Sequence, residues 1–244
     1  MSDSEEEVEY EPETFQLHEH TITLTTVAYL PLSVLMNNRT QDKEISGQKL
    51  WCGSACLINY LFKHSSFVNN NDVIELGAGT GVAAIIASRL NAKHIIATDH
   101  DKLSLDHMNA DFPANNAKID VLKLDWYSPD LIEIEKSIAS SSERGERVVL
   151  LAGDVLYKAV LLTPFFTTVK LLLEKYSNGS ELLLCHIPRA GVLQEYVQQA
   201  AKEFGLEVEI LPREDWDDNS TIFQYCPPED LQRSQMYRMC IKSS

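Results

Sequence analysis

Residues 73–82 read Val-Ile-Glu-Leu-Gly-Ala-Gly-Thr-Gly-Val. A short apolar run carrying one acidic residue leads into glycines at alternate positions, Gly77, Gly79 and Gly81. Ala83, Ile85, Ile86 and Leu90 then recur at helical spacing. The pattern predicts a buried strand, a tight turn and the N-terminus of a helix. Glycine lets the backbone turn with positive φ and lets a ligand approach the main chain without meeting a Cβ. Such a turn either holds a nucleotide-like ligand or is the plain connection of a βαβ unit.

Spacing separates the ligand classes. Dinucleotide-binding turns use G-x-G-x-x-G, with a pyrophosphate at the helix N-terminus. Here the third glycine comes one residue early, and Glu75 stands just before the turn. A carboxylate there repels a pyrophosphate but suits a cationic amino-acid group. The next strand, Ile95-Ile96-Ala97-Thr98-Asp99, ends in an aspartate 22 residues after Gly77, where a carboxylate can accept both ribose hydroxyls. Together these features resemble the first motif of class I methyltransferases, so the expected cofactor is S-adenosylmethionine.

Outward from the turn, strands and helices alternate. Strands are expected at 72–76, 94–98, 119–123, 147–152, 181–186, 206–211 and 235–241. Helices are expected from about 50 to Lys63-His64 and near 81–90, 101–112 (interrupted by Pro113), 130–140, 159–176 and 190–204. This alternation calls for a parallel sheet covered on both faces. The last two strands, with no helix expected between them, suit an antiparallel closing hairpin. Thr- and Val-rich alternation between Phe15 and Leu35 predicts a preceding strand pair, and Asn37–Gly47 is polar and loop-like. The expected organisation is a disordered acidic tail (1–13), a strand pair with its loop (14–48) and a single α/β domain (49–244).

Composition narrows the partners. A 27.5 kDa chain with 44% hydrophobic residues can bury one large core. No apolar run approaches the ~20 residues of a membrane span. The first residues are acidic where a secretory signal is basic. A soluble protein of the cytoplasm, with the nucleus also open to it, is therefore expected, without membrane partners and as a monomer. Five cysteines without a C-x-x-C pair read as reduced thiols. Cys52 and Cys56 are four apart, but no second pair completes a metal site, so no metal is expected. Net charge is −15, and removing the seven carboxylates of the first thirteen residues still leaves −8. Nucleic-acid binding needs Lys and Arg to displace counterions, so no nucleic-acid partner is expected. A cationic protein substrate fits the charge better, although acidity can also serve solubility alone.

Three further segments fall where the carboxyl ends of the strands should lie, the ligand edge of such a sheet. They are Gly47-Gln-Lys-Leu-Trp51, Leu124-Asp125-Trp126 and Ala152-Gly153-Asp154-Val155-Leu156-Tyr157. The set resembles the family 16 methyltransferases over about residues 45–190, above all in Asp-x-x-Tyr after the fourth strand. This seven-β-strand group holds many protein-lysine methyltransferases and a few that modify arginine or histidine. Ala152-Gly153 stands where relatives often carry Ala-Ser or Ala-Ala. Cys52 stands where Pro, Asp or Glu is frequent. Many relatives also carry an arginine near Arg189.

The resemblance implies a Rossmann-like seven-stranded sheet with helices on both faces and a small N-terminal β extension. It also implies roles that the chemistry supports. Glu75 is placed at the cofactor's amino-acid end, with the backbone of Gly77, Gly79 and Gly81 close by, and Asp99 at the ribose. Trp126 is placed against the adenine, one flat apolar ring on another. Asp125 either accepts from the adenine amino group or is a surface carboxylate. Trp51 and Ala152 complete the walls, unless the tryptophans are core fillers. Asp154 and Tyr157 are the catalytic candidates, able to draw in and orient a lysine amine. Asp154 has a structural alternative as N-cap of the 159–176 helix. His186 is either a base or a structural histidine.

The leading expectation is an S-adenosylmethionine-dependent N-methyltransferase acting on a protein lysine. The alternatives are transfer to arginine, histidine or a small molecule, and a non-catalytic binding module with the same fold. No Asn/Asp-Pro-Pro-Tyr/Phe base-binding loop is present to favour nucleic acid.

Overall fold

The computed structural model describes residues 8–29, 46–141, 145–218 and 220–242. Its centre is a seven-stranded sheet built from β3 (Asp72–Leu76), β4 (Ile95–Asp99), β5 (Asp120–Lys123), β6 (Val148–Gly153), β7 (Glu181–His186), β8 (Leu206–Ile210) and β9 (Gln235–Ile241). The order across the sheet is β5-β4-β3-β6-β7-β9-β8. The first five run parallel, and β9 is antiparallel to both β7 and β8. The parallel strands need crossovers, and helices supply them: α2 (Val82–Arg89), α3 (Lys102–Ala114), α4 (Ile132–Ser140) and α5 (Leu162–Lys175), while α6 (Gln194–Glu203) leads from β7 to the edge strand β8 and α1 (Cys52–Lys63) precedes β3.

Period-two alternation sorts the strand residues between two apolar layers. Val73, Ala97, Leu151 and Leu183 pack with α1 and α2 residues such as Leu57, Leu61 and Ile85. Ile74, Leu76, Leu150 and Leu184 pack with Phe165, Phe166, Val169 and Leu172 of α5 on the other face. Both faces being buried, the strands read as continuous apolar runs. Each buried Leu or Ile stabilises the fold by roughly 1.5–3 kcal/mol. The order reverses between β3 and β6, which opens a crevice beyond their carboxyl ends.

Three expectations are corrected. The strand pair is β1 (Glu9–Leu17) with β2 (His20–Tyr29), turning at His18-Glu19. Residues 9–13 thus belong to a strand and not to a disordered tail. Phe15 and Leu17 of β1 and Ile22 and Leu24 of β2 are buried in the core on the α1 and α2 side, and cross-strand polar bonds add to this: Thr14 and Thr23 hydroxyls lie 3.1 Å apart, and Thr26 Oγ1 donates to Glu13 at 3.0 Å. The Asp111 carboxylate of α3 accepts from the Thr25 amide and hydroxyl, at 2.7 and 2.8 Å, and so pins the hairpin to the domain. Residues 1–7, and 30–45 of the expected strand and loop, lie outside the described residues.

The second correction is that β8 and β9 are not joined by a plain turn. Short 3-10 turns and α7 (Pro228–Arg233) intervene, around the buried Trp216. Such short turns carry too few residues to show periodicity. Third, Pro113 does not interrupt α3 but sits in its last turn. Among the described residues no helix is long and apolar enough to cross a membrane.

Candidate active site

A cavity of about 620 Å³ lies at the carboxyl edge of the sheet, between the turns after β3, β4, β5 and β6 and the segment preceding α1. That volume is in the range of small-molecule and cofactor sites. Gly77, Gly79, Asp99, Asp125, Trp126, Asp154, Tyr157 and Trp51 all line it, so most of the candidates drawn from the sequence converge on one place.

The glycine turn is built by close approach. Gly77 and Gly79 have φ of 64° and 55°, a region that costs other residues strain. A Cβ on Gly79 would stand 2.9 Å from the Gly47 carbonyl oxygen, and one on Gly77 would stand 3.2 Å from the Trp126 ring. Asp99 locks the turn, accepting from the Gly79 amide at 2.9 Å and from the Asp101 amide at 3.0 Å.

Three expected cofactor residues lie behind the wall and do not line the cavity. Glu75 shares the β3 face of Val73, which looks onto α1 and α2, and this parity carries its side chain beneath the α2 N-terminus. There its carboxylate accepts from the Ala84 amide at 2.8 Å, one of the N–H groups a helix start leaves unpaired. Burial pushes the Glu75 carboxyl up to about 8, with the Ala84 amide opposing and Asp99 adding. Gly81 is a packing glycine, since a Cβ there would stand 2.5 Å from the Phe112 ring. Ala152 is fully buried in the α5-side layer.

At the other end of the cavity Asp154 follows β6 with φ 59°, a left-handed conformation unusual outside glycine. It does not cap α5, which contradicts the N-cap alternative; the turn ahead of that helix is entered from Lys158. Its carboxylate is taken by Arg189. The Nη2 donates to Oδ2 at 2.7 Å, and Nε lies 3.2 Å from both oxygens. Arg189 is held in turn by Asp230 of α7 at 2.9 Å and stacks 5.2 Å from the Trp51 ring centroid. Burial raises the Asp154 carboxyl to about 6, with Arg189 restraining the rise. The N-terminus of α1 presses on the same turn. A Cβ on Gly53 would stand 2.7 Å from Asp154 Cβ, and one on Gly153 would stand 2.9 Å from Ser54 Oγ. This contact accounts for glycine at 153.

Trp126 packs edge-on against Phe165, with centroids 5.0 Å apart. Asp125 is exposed and accepts from the Tyr127 amide at 2.9 Å. His186 does not line the cavity: it is buried, its Nε2 donates to the Val192 carbonyl at 3.0 Å, and burial pushes it down to about 4. Lys49 and Lys158, which the sequence does not single out, line the cavity, as does Arg189, where many relatives carry an arginine. The available signal was their position beside Trp51, after Tyr157 and after β7. Among the described residues no group of three or more His, Cys, Asp or Glu side chains is arranged to hold a metal ion.

Sheet order, glycine turn and cavity define the class: a Rossmann-like, seven-stranded methyltransferase fold. Over 97% of the chain the fold resembles the solved structure of a T. thermophilus 16S rRNA N2 G1207 methyltransferase in complex with AdoMet and guanosine, with a TM-score of 0.58 at 11% identity, covering 52% of that chain. The profile of the lysine methyltransferase family matches residues 33–203, and the chain belongs to that family. Similar proteins include mouse methyltransferase-like protein 22, 29% identical over 146 residues. That match covers 54% of this chain and 37% of the mouse protein, so the chain matches well under half of this relative's length. The protein N-terminal and lysine N-methyltransferase EFM7 of Candida glabrata is 25% identical over 182 residues, covering 70% of this chain and 67% of that protein.

Proposed function

We propose that the protein is an S-adenosylmethionine-dependent N-methyltransferase acting on a lysine side chain of a protein substrate. The observation that carries this reading is one cavity with a glycine turn and ribose-type carboxylate at one end and a clamped, left-handed Asp154 at the other. Family membership supports the lysine assignment. A net charge of −15 favours an acceptor protein of opposite overall charge, and the reduced-thiol composition favours the cytoplasm, extending to the nucleus. We assign residues 49–244 to the methyltransferase domain and the preceding hairpin to an extension of it.

The residues present fit the cofactor. A Cβ at Gly77 or Gly79 would close the turn, Asp99 offers acceptors for hydroxyls, and Trp126 offers an aromatic edge. When bound, S-adenosylmethionine supplies a methyl group on a sulfonium, open to an unprotonated amine. The chain's own part is positioning and desolvation. Asp154 holds a carboxylate at the acceptor end, kept ionised near neutral pH by Arg189 against the rise that burial imposes. Val155 and Leu161 line the cavity with apolar surface, which disfavours an ammonium and so favours the neutral amine.

The test is a paired measurement on Asp154→Asn, which keeps shape but removes charge. Transfer to lysate protein should fall about 100-fold while calorimetric affinity for S-adenosylmethionine stays near wild type. Full activity in the variant would remove Asp154 from the reaction, and no cofactor binding by the wild type would remove the reading.

A further inference from the structure

One short segment touches both ends of the cavity. Ser46–Gln48 is a 3-10 turn ahead of α1, and Ser46 and Gly47 line the cavity. At the cofactor end it lies against the glycine turn, since a Cβ on Gly47 would stand 3.5 Å from Gly79 Cα. The same Cβ would collide with Ser104 Oγ, so the segment is wedged between Gly79 and α3. At the acceptor end the Ser46 carbonyl accepts from the Trp51 indole at 2.5 Å, and the face of that ring carries Arg189. One side chain ties the segment down. Gln48 is buried, its Nε2 donates to Ser104 Oγ at 2.8 Å, and its Oε1 accepts from His107 Nδ1 at 2.6 Å. Among the described residues these are the hydrogen bonds between the segment and α3. Ser104 and His107 lie three apart, on one face of that helix. Ser104 Oγ donates onward to Asp101, 3.1 Å away, whose amide donates to Asp99. On the other side the Tyr10 ring of β1 meets the His107 ring edge-on, with centroids 5.1 Å apart. The network thus runs from the N-terminal hairpin to Asp99.

We infer that Gln48 is a positioning residue for the cofactor site: anchored by His107, it seats Gly47 against the glycine turn and Ser46 against Trp51. The inference rests on the cofactor reading above and adds residues outside the cavity to it. Neither Gln48 nor His107 lines the cavity, so their effect passes through the backbone of the segment. A glutamine buried for packing alone would leave its amide unpaired at a cost, whereas here both ends of the amide are paired. Both bonds are directional, so together they fix the rotation of the segment as well as its distance from α3. An amide oxygen can only accept, and His107 Nδ1 therefore carries a proton. The hairpin shares this support. It packs on α3 through Tyr10 on His107, and its Thr23 and Thr25 amides donate to Asn115 and Asp111 of the same region. The N-terminal extension is in this way part of what holds the cofactor wall in place.

The experiment measures S-adenosylhomocysteine affinity of the full chain by calorimetry, at a temperature where circular dichroism shows every variant folded. Gln48→Met keeps length and bulk but removes both bonds, and the Kd should rise about 10-fold, the scale of two hydrogen bonds. His107→Leu removes one of them and should raise the Kd about 3-fold. His107→Asn puts an amide nitrogen where Nδ1 stands and should return the Kd to within about 2-fold of wild type. The double variant Gln48→Met/His107→Leu should bind no worse than Gln48→Met, because both changes break one shared contact. Unchanged affinity in folded Gln48→Met overturns the inference and leaves the cofactor reading standing. So does His107→Asn binding as weakly as His107→Leu, or a double variant about 30-fold weak, the additive value, because general loosening does not distinguish a donor from a methyl group. If Gln48→Met does not fold, the two His107 variants decide the matter alone. No binding by the wild type overturns the cofactor reading, and the inference with it.

Discussion

The two ends of the cavity are assembled from different distances along the chain. At the glycine-turn end the bonds that fix the geometry are short in sequence: Glu75 reaches Ala84 across 9 residues and Asp99 reaches Gly79 across 20. At the Asp154 end they span 35 residues to Arg189 and 41 more to Asp230, with α1 packed on the same turn. The first end is a βαβ unit that carries its own partners. The second forms only when β6, β7, α1 and α7 are all in place. The buried carboxylates show the same contrast. Glu75 accepts from a backbone amide and is pushed up to about 8, whereas Asp154 accepts from a guanidinium and is restrained to about 6.

The largest effect is expected at the glycine turn. Gly79→Arg puts a side chain where even a Cβ meets the Gly47 carbonyl. Calorimetry should find S-adenosylmethionine binding abolished, with far-UV circular dichroism near wild type because the strand and helix carry their own hydrogen bonds. Retained binding would separate the turn from the cofactor.

Arg189→Gln probes the other end. Asp154 and Asp230 would lose their shared cation, at a cost of about 3 kcal/mol, the scale for breaking a buried pair. Its pH dependence is diagnostic. A carboxyl whose folded pKa is raised stabilises fully below its unfolded pKa, near 4, and that contribution is lost as pH rises through the folded value. Without Arg189 the Asp154 carboxyl moves above about 6, so the deficit in urea unfolding should be larger at pH 8 than at pH 5. A small, pH-independent change would mean that the clamp contributes little.

The smallest effect is expected at Glu75→Gln, which keeps the acceptor for the Ala84 amide but cannot ionise. The native Glu75 contribution is present below about 4.5 and is lost as pH rises through about 8. Relative to wild type the variant should therefore gain stability as pH rises from 5 to 9. Cofactor affinity should stay within about 2-fold, well under the loss expected for a deleted charged hydrogen bond. A large loss of affinity would return Glu75 to the cofactor's amino-acid end.

Legibility in the sequence followed this division. Val73–Leu76, the glycines and Asp99 announced strand, turn and second strand because glycine spacing and apolar runs are local properties. Pattern alone did not show that Glu75 turns beneath α2 or that Gly81 makes room for Phe112. Both depend on what covers that face of the strand. The motif marks Asp154 and Tyr157, but only the tertiary structure shows that the helix is entered from Lys158 and that the Asp154 carboxylate goes to Arg189. Residues 9–13 were misread because composition counts the apolar groups a segment can bury and not the partner strand that satisfies its backbone.

By itself, then, the sequence determined the order of strands and helices, the nucleoside-type turn and the residues gathered at the carboxyl edge of the sheet. These follow from periodicity and from the backbone freedom of glycine, which act over a few residues. Tertiary structure alone decided which carboxylates face the cavity, which are consumed by amides or by Arg189, and that Lys49 and Lys158 stand at the mouth beside Trp51 and Tyr157. Charge acts through space, and a side chain's partner is set by packing between segments that the chain order leaves far apart.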